Sequence, residues 1–186
     1  MIETVGEWFG PHKASAVLAG RKPIVDGIGL VHAVGGGRPL CTTTIGQSLR
    51  KNQKGVIIIV STTLSSDPSI DLSVHKSAKL HLYKNIRFFR GLIGGDCVSE
   101  SYFFPAASED YLYIMDPHTV QHAVPPRLSP WTINFMVPPQ PSVRAMRWPR
   151  LGSSMAFGFF IKSHAELNEL ENLLRPVLSV LGISLI

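Results

Sequence analysis

An aspartate and a histidine lie two residues apart near the end of YLYIMDPHTVQH, the segment from Tyr111 to His122. In an extended strand, side chains at positions i and i+2 point to the same face, so Asp116 and His118 can lie side by side. A carboxylate that accepts the N–H of one imidazole nitrogen leaves the other nitrogen free to take a proton from a nucleophile. The pair therefore has the chemistry of half a catalytic triad. Pro117 also suits an ordinary strand-to-loop turn, and the tripeptide alone does not distinguish the two.

A second chemistry for the same segment is metal binding, because His118 and His122 have H-x-x-x-H spacing. On a helix this spacing would place two zinc ligands on one face. The strand before them and Pro125-Pro126 after them argue against a helix, and no cysteine or carboxylate pair completes a site. We therefore predict no metal ion. The other histidines are scattered, and we expect surface or hydrogen-bonded roles for His12, His32, His75, His81 and His164.

The elements before the pair mix helices and strands. Pro11 suits the first turn of a helix, where its missing N–H would have no intrahelical partner. IGLVHAV and PLCTTTI flank the glycines at 35–37, which predicts a β-hairpin, and a short helix follows from Ile45 to Gly55. GVIIIVS, which begins at Gly55, is typical of a strand buried on both faces.

A further helix is predicted before the strands of the pair, from apolar residues spaced four apart. The same region interleaves basic and aromatic side chains, a pattern also found on RNA-binding surfaces. We expect the basic residues to form a solvated face and the aromatic residues to pack in the core. The helix positions are Ile70, Val74, Ala78 and Leu82; the basic residues are Lys76, Lys79, Lys84, Arg87 and Arg90; the aromatic residues are Tyr83, Phe88 and Phe89.

Strands and a final helix complete the predicted single α+β domain, which spans residues 1–186. FFRGLIGG is predicted to turn at its last two glycines, and SYFFPAA and YLYIMDPH form the next two strands. A proline-rich surface connection follows at about 123–150, and AFGFFIK resumes as a buried strand. Ser163, with Glu166 three residues later, forms a capping box, and Pro176 ends or kinks the helix that carries Leu167, Leu170 and Leu174 on one face.

Composition narrows the class of protein. The 186 residues carry a formal charge of +5 and are 45% apolar, which fits one globular domain that weakly attracts anionic partners. The N-terminus has no secretory pattern, and every apolar run is far shorter than the roughly 20 residues that span a bilayer. Two cysteines, Cys41 and Cys97, suit a reducing compartment. We expect a soluble, cytoplasmic protein.

Four segments, in order, resemble the autophagy cysteine peptidases (autophagins), which are papain-like enzymes. VGEWFGPHKASAVL resembles the family's G-x-W-(Y/F)-G-P-N helix start, and GLIGGDCVSESYFF resembles its G-(I/V)-I-G-G-K-P-N-x-x-x-Y-F loop and strand. YIMDPHTVQ resembles L-D-P-H-x-x-Q. SMAFGFFIKSHAELNELENLL resembles the closing D-P-S-x-A-x-G-F-F strand and helix. The resemblance implies a papain-like α+β fold and no cofactor.

Site residues follow from the matched positions. The resemblance implies that Asp116 and His118 are the catalytic pair, with His118 as general base and later general acid. Trp8 matches the tryptophan that covers the C-terminal glycine of the substrate. Gly94 and Gly95 match the start of the loop that opens to admit the substrate tail, and they bind substrate by this analogy.

Two departures from the family pattern affect the activity. Asp96-Cys97-Val98 stands where the family loop has Lys-Pro-Asn. The family's W-G-C-x-x-R-x-x-Q segment, which carries the nucleophile at a helix start, is absent from these residues, so the chain is expected to lack the N-terminal part of the fold and to expose an apolar sheet face. Cys41 is predicted in a hairpin strand, away from any helix N-terminus. Cys97 is predicted in the gate loop, where it approaches the cleft.

The resemblance implies a peptidase that cleaves the ubiquitin-like autophagy modifier after its C-terminal glycine and releases it from lipid. The alternative is an inactive, peptidase-derived protein that binds the modifier without cutting it, so enzymatic activity stays open. The expected partners are the free and lipid-conjugated modifier and no nucleic acid. A basic segment suggests transient contact with an anionic membrane surface; its residues are Arg144, Arg147 and Arg150.

Overall fold

The computed structural model describes residues 11–19, 26–34, 39–64, 72–97, 100–116 and 144–186, and all structural statements concern these residues. They form four α-helices and seven strands, a mixed architecture that agrees with the α+β prediction. The elements in chain order are α1 (Pro11–Ala19), β1 (Ile28–Val34), α2 (Thr42–Lys51), β2 (Gly55–Thr63), α3 (Leu72–Asn85), β3 (Phe89–Cys97), β4 (Glu100–Ala107), β5 (Tyr111–Met115), β6 (Ala145–Arg147), β7 (Ser154–Ile161) and α4 (His164–Leu174).

The strands form one sheet in the order β1-β2-β7-β3-β4-β5-β6. Strands β1 and β2 are parallel, and every other neighbouring pair is antiparallel. The hairpin prediction was therefore wrong, because β1 continues through α2 into β2 as a crossover. Parallel neighbours need such a crossover, since a tight turn can join only antiparallel strands. The threonine-rich stretch after Cys41 resembles a strand by composition, yet it forms the first turn of α2.

One face of the sheet is closed by helices. Ile58, Leu92, Phe104, Phe157 and Phe159 point to this face, and each has 0% of its surface exposed. Helix α2 contacts β1 and β2, and α3 contacts β3 and β4. A Cβ added at Gly29, on the same face, would lie 2.3 Å from Ser48 Oγ of α2, so glycine permits this close helix–sheet contact. The closed face holds most of the core.

Helix α3 is present as predicted, but its buried stripe is different. Ala78 and Leu82 are buried, whereas Val74 is 46% exposed. In its place, His75 and Lys79 are 9% and 8% exposed. The prediction of a solvated face was wrong for Lys79, and His75, expected at the surface or hydrogen-bonded, is buried with an unpaired Nδ1, because the helix is rotated so that both side chains face inward. Phe88 and Phe89 of the following segment are buried, as expected for core aromatics.

The C-terminal part agrees closely with the sequence pattern. Ser163 Oγ accepts a hydrogen bond of 3.2 Å from the Glu166 N–H, and Glu166 Oε2 accepts one of 2.6 Å from the Lys162 N–H. Helix α4 ends at Leu174, before Pro176, and its three predicted leucines are buried. The last residues pack back on the core. Leu40 donates to the Ser184 carbonyl, and the Thr42 N–H donates to the Ile186 carbonyl, so the end of the chain lies beside the start of α2.

Two segments near the predicted pair differ from expectation. Strand β3 continues through Gly94 and Gly95 to Cys97, so the chain does not turn at the glycines; the register with β4 shifts between Gly94 and Cys97. Residues 123–143 of the predicted surface connection lie outside the described residues. Its last part forms β6 and a 3-10 turn, and Met146 and Trp148 there are buried.

Candidate functional site

Asp116 lies directly after strand β5. Met115 pairs with Phe103 of β4, so the antiparallel register places Asp116 opposite Tyr102. Tyr102 in turn pairs with Gly94 of β3. Asp116, Tyr102 and Gly94 therefore form a row across three neighbouring strands. The register brings together the carboxylate and the glycines that the sequence proposed for one site.

Arg144 holds the Asp116 carboxylate in place. Ile114 N–H donates to the Arg144 carbonyl over 2.8 Å, which fixes Arg144 beside the end of β5. The Arg144 guanidinium donates to Asp116 Oδ2, and it lies 5.7 Å from the centroid of the Tyr102 ring. The Asp116 side chain is 16% exposed and that of Arg144 is 56% exposed. A charge-assisted hydrogen bond at a largely covered carboxylate restricts its rotation, which an orienting aspartate requires.

The arginine contact is compatible with a second partner on the same carboxylate. An ionised carboxylate has lone pairs on both oxygens and accepts several hydrogen bonds. Asp116 can therefore be held by Arg144 and still accept an imidazole N–H. Sequence reasoning assigned Arg144 to a basic membrane-facing segment and missed this contact. The two residues are 28 positions apart, and no local sequence pattern indicates the contact.

The glycine pair is braced by the segment after the 3-10 turn. Gly152 N–H donates to the Gly95 carbonyl over 2.7 Å. A Cβ added at Gly152 would lie 2.8 Å from that carbonyl oxygen, and one added at Gly94 would lie 3.2 Å from Leu151 Cδ1. Glycine at 152 therefore permits the close approach. Gly94 is buried and Gly95 partly buried, so opening at this pair would first break the contact with Gly152.

Two residues of the predicted site lie outside the described residues. His118 is two positions beyond Asp116, and Trp8 precedes α1. Their roles as general base and as cover over the substrate glycine stay predictions, as do the roles of Asp116, Gly94 and Gly95.

Cys41 differs from its prediction. It is the N-cap residue of α2, with extended backbone angles, and so it lies at a helix N-terminus. The polar groups of Thr44, side chain and then backbone, lie close to the Cys41 thiol and lower its pKa from its ordinary value, with a smaller effect from Thr43. Cys41 also lines a cavity of about 310 Å³ together with His32 and Thr44. His32 Nε2 lies 3.1 Å from Ser61 Oγ, so this histidine is hydrogen-bonded, as expected.

The sheet order nevertheless separates Cys41 from Asp116. Helix α2 contacts β1 and β2, which lie five and four strand positions from β5. At about 4.8 Å per strand, this separation is roughly 19–24 Å. A thiol and its general base must approach within hydrogen-bond distance, so Cys41 lies too far away to serve the Asp116 site. Cys97 ends β3, only two strand positions from β5.

Metal-ligand clusters and membrane-spanning helices are both absent from the described residues. No group of three or more histidine, cysteine, aspartate or glutamate side chains in them is arranged to hold a metal ion. None of the helices among these residues combines the length and apolar character needed to cross a bilayer.

Comparison with known proteins yields two matches. A family model for the peptidase C54 catalytic domain matches residues 2–173. The cysteine protease ATG4C of Xenopus laevis is 25% identical over an alignment that covers 95% of this chain. The same alignment covers 39% of that protein, so the chain spans about two fifths of the length of this curated relative.

Proposed function

The chain belongs to the peptidase C54 family, and from that premise we propose that it acts on the ubiquitin-like autophagy modifier. Membership agrees with the resemblance of its motifs to the autophagins and supports an autophagy cysteine protease-like role. The proposed reaction is cleavage of the modifier after its C-terminal glycine, from a peptide extension or from lipid. The proposed location is the cytoplasm.

The position of the Asp116 carboxylate is the observation that supports the proposed catalytic role. It is largely covered, follows β5 directly, and is held by Arg144 in one row with Tyr102 and Gly94. In the proposed reaction Asp116 orients His118, which takes the proton of a thiol. The thiolate attacks the glycine carbonyl, and His118 then protonates the leaving amine. Water hydrolyses the acyl-enzyme thioester with His118 again as base, which regenerates the thiol.

A second candidate is binding of the modifier without cleavage. The observation that favours it is the separation of roughly 19–24 Å between the strands under Cys41 and β5, at about 4.8 Å per strand. In this case the row of Asp116, Tyr102 and Gly94 is a binding surface inherited from a peptidase. Gly94 and Gly95 then hold the modifier tail through strand β3.

Cleavage of an extended substrate tests both candidates. The purified chain is incubated with the modifier carrying a C-terminal extension, and products are measured by intact mass. For a peptidase we expect cleavage after the glycine, lost in His118→Ala and retained in His122→Ala, a matched histidine in the same segment. For a binder we expect no cleavage and saturable binding that Asp116→Ala weakens. A folded chain that neither cleaves nor binds the modifier contradicts both.

Membrane contact is a separate part of the proposal. Arg147 lies 5.9 Å from the centroid of the Tyr111 ring, and the Arg147 and Arg150 side chains are exposed. We propose that this end of the sheet approaches an anionic membrane that carries lipidated modifier. Charge reversal at Arg147 and Arg150 is expected to reduce sedimentation with anionic vesicles. Equal sedimentation of wild type and variant at low salt would exclude this contact.

A further inference from the structure

A basic cavity lies between α3 and the segment that follows β6. Its volume is about 240 Å³, and Ser73, His75, Lys76 and Lys79 of α3 form one wall. Trp148 and Leu151 form the opposite, apolar wall. Three basic side chains therefore line one space, and none of the described residues that line it is acidic. This arrangement is separate from the row at Asp116 and does not depend on the proposed function.

Two of the basic side chains, His75 and Lys79, are largely buried. His75 is 9% exposed, and its Nδ1 is fully covered and makes no hydrogen bond. Lys79 is 8% exposed, and no ion pair or hydrogen bond links it to another described residue. Asp110 lies 4.0 Å from Lys76 Nζ, so the nearby carboxylate serves the outer lysine. Buried polar groups are normally paired, so the unpaired His75 Nδ1, beside the Lys79 side chain in the lining of one cavity, favours an anionic ligand there.

The electrostatics of the cavity agree with that conclusion. Burial lowers the pKa of Lys79 to about 8. Burial, and then the charge of Lys79, lower the pKa of His75. An anion in the cavity would compensate the charge of Lys79 and favour its protonated form. The opposite wall, formed by Trp148, Pro149 and Leu151, has no titratable group.

We propose that this cavity binds a phosphate monoester. A phosphate group has several acceptor oxygens and up to two negative charges, which matches two buried nitrogen bases with Lys76 and Ser73 beside them. Ser73, His75 and Lys76 lie in the first half of α3, a helix of 14 residues whose N-terminal end favours negative charge, and Lys79 follows one turn after His75. The apolar wall at Trp148 and Leu151 suits the carbon part of the ester. The ester is a soluble metabolite or the head group of a phospholipid.

Titration with a soluble ester is the first test. The purified chain is titrated with glycerol phosphate at constant ionic strength, and the His75 imidazole signal is followed by NMR. We expect a saturable shift at pH 7 that weakens as the pH rises above about 8, because Lys79 then loses its proton. Lys79→Met is expected to weaken binding by about tenfold, the loss of one charge-assisted contact. Lys84→Met is the matched control, since Lys84 is on the same helix but pairs with Glu109.

Vesicle binding distinguishes a soluble phosphate ester from a phospholipid head group as the ligand. Vesicles with phosphatidic acid expose a phosphate monoester, whereas phosphatidylserine vesicles of equal charge do not. Binding to glycerol phosphate, to phosphatidic acid, or to both supports the proposal and identifies the source. It is overturned if neither binds, if acetate or phosphatidylserine binds equally well, or if Lys79→Met binds as tightly as Lys84→Met. Thermal unfolding of Lys79→Met confirms that a loss of binding is not a loss of fold.

Discussion

The two faces of the sheet are built from the same kinds of residue but are covered very differently. Phe157 and Phe160, three positions apart on β7, point to opposite faces; Phe157 is 0% exposed, whereas Phe160 is only partly buried. Ile57 and Ile93 on the face of Phe160 are each 37% exposed. Helix α1 lies on this second, open face, where Ser61 Oγ donates to Ser15 Oγ over 3.4 Å. The closed face supplies the core, and the open face leaves apolar surface available.

This difference shows the limit of a composition argument. GVIIIVS was predicted to be buried on both faces, because a continuous apolar run is typical of such strands. Ile58 and Val60 agree with that prediction, but Ile57 does not. Apolar side chains alternate between the faces, and a sequence does not show which face receives helices. The run therefore predicts the strand, while the helices that pack on it decide the burial.

Removal of a closed-face aromatic ring should have the largest effect. Phe157→Ala is expected to lower the free energy of unfolding by about 3–5 kcal/mol, because a fully buried ring is replaced by a cavity. Phe160→Ala on the same strand is the matched control and should cost roughly 1–2 kcal/mol, since its ring is partly solvated. Urea denaturation of both variants measures the difference. Equal losses would mean that the open face is covered in solution.

Lys79 is a basic side chain buried on the otherwise apolar closed side of the sheet, and its burial should make the stability depend on pH. The pKa of Lys79 is about 8 in the folded state and about 10.4 when unfolded. Between these values the unfolded chain binds more protons, so this group makes stability rise with pH. Lys79→Met removes this contribution. We expect the variant to be more stable than wild type at pH 7.5, where burying the Lys79 charge destabilises wild type. This difference in the free energy of unfolding should shrink by roughly 2 kcal/mol between pH 7.5 and 9.5 in phosphate-free buffer. A constant difference in urea denaturation across this range would contradict the buried charge.

A polar substitution on the open face should change stability little and association more. Ile93→Thr keeps a β-branched side chain in β3, and we expect a loss of at most about 1 kcal/mol, because Ile93 is already 37% exposed. The smaller apolar surface should reduce self-association, measured by sedimentation velocity at several concentrations. Ile58→Thr, at a fully buried closed-face position on β2, is expected to destabilise strongly. If the two substitutions destabilise equally, the contrast between the faces is wrong.

The smallest expected effect concerns the thiol at the start of α2. The lowered pKa of Cys41 predicts faster alkylation near neutral pH than for an ordinary thiol. Thr44→Val removes the nearby hydroxyl group that contributes most to the lowered pKa and should slow the reaction several-fold in a Cys97→Ser background. Mass spectrometry after timed iodoacetamide treatment measures the rates. Substitution of Cys41 should leave modifier cleavage unchanged, because α2 packs on β1 and β2, five and four strand positions from β5 and Asp116.

Local sequence patterns were sufficient to predict some elements of the fold but not others. The capping box at Ser163 and the strand before Asp116 depend on neighbouring residues, and both were predicted correctly. The crossover through α2 depends on the pairing of β1 with β2, so the glycines at 35–37 suggested a hairpin instead. The Arg144 contact with Asp116 and the Gly152 contact with Gly95 join distant positions. Such contacts follow from strand order, which a single sequence does not show.

Strand β7 is seventh in the chain but lies third in the sheet, between β2 and β3. During synthesis on a ribosome, β1–β2 and β3–β6 are therefore made before the strand that joins them. Until residue 161 emerges, each half-sheet has an unpaired inner edge that invites wrong pairing or chaperone capture. We expect stalled nascent chains ending near residue 150 to be far more sensitive to protease than chains extended past α4. Equal resistance would show that the half-sheets are stable before β7 joins them.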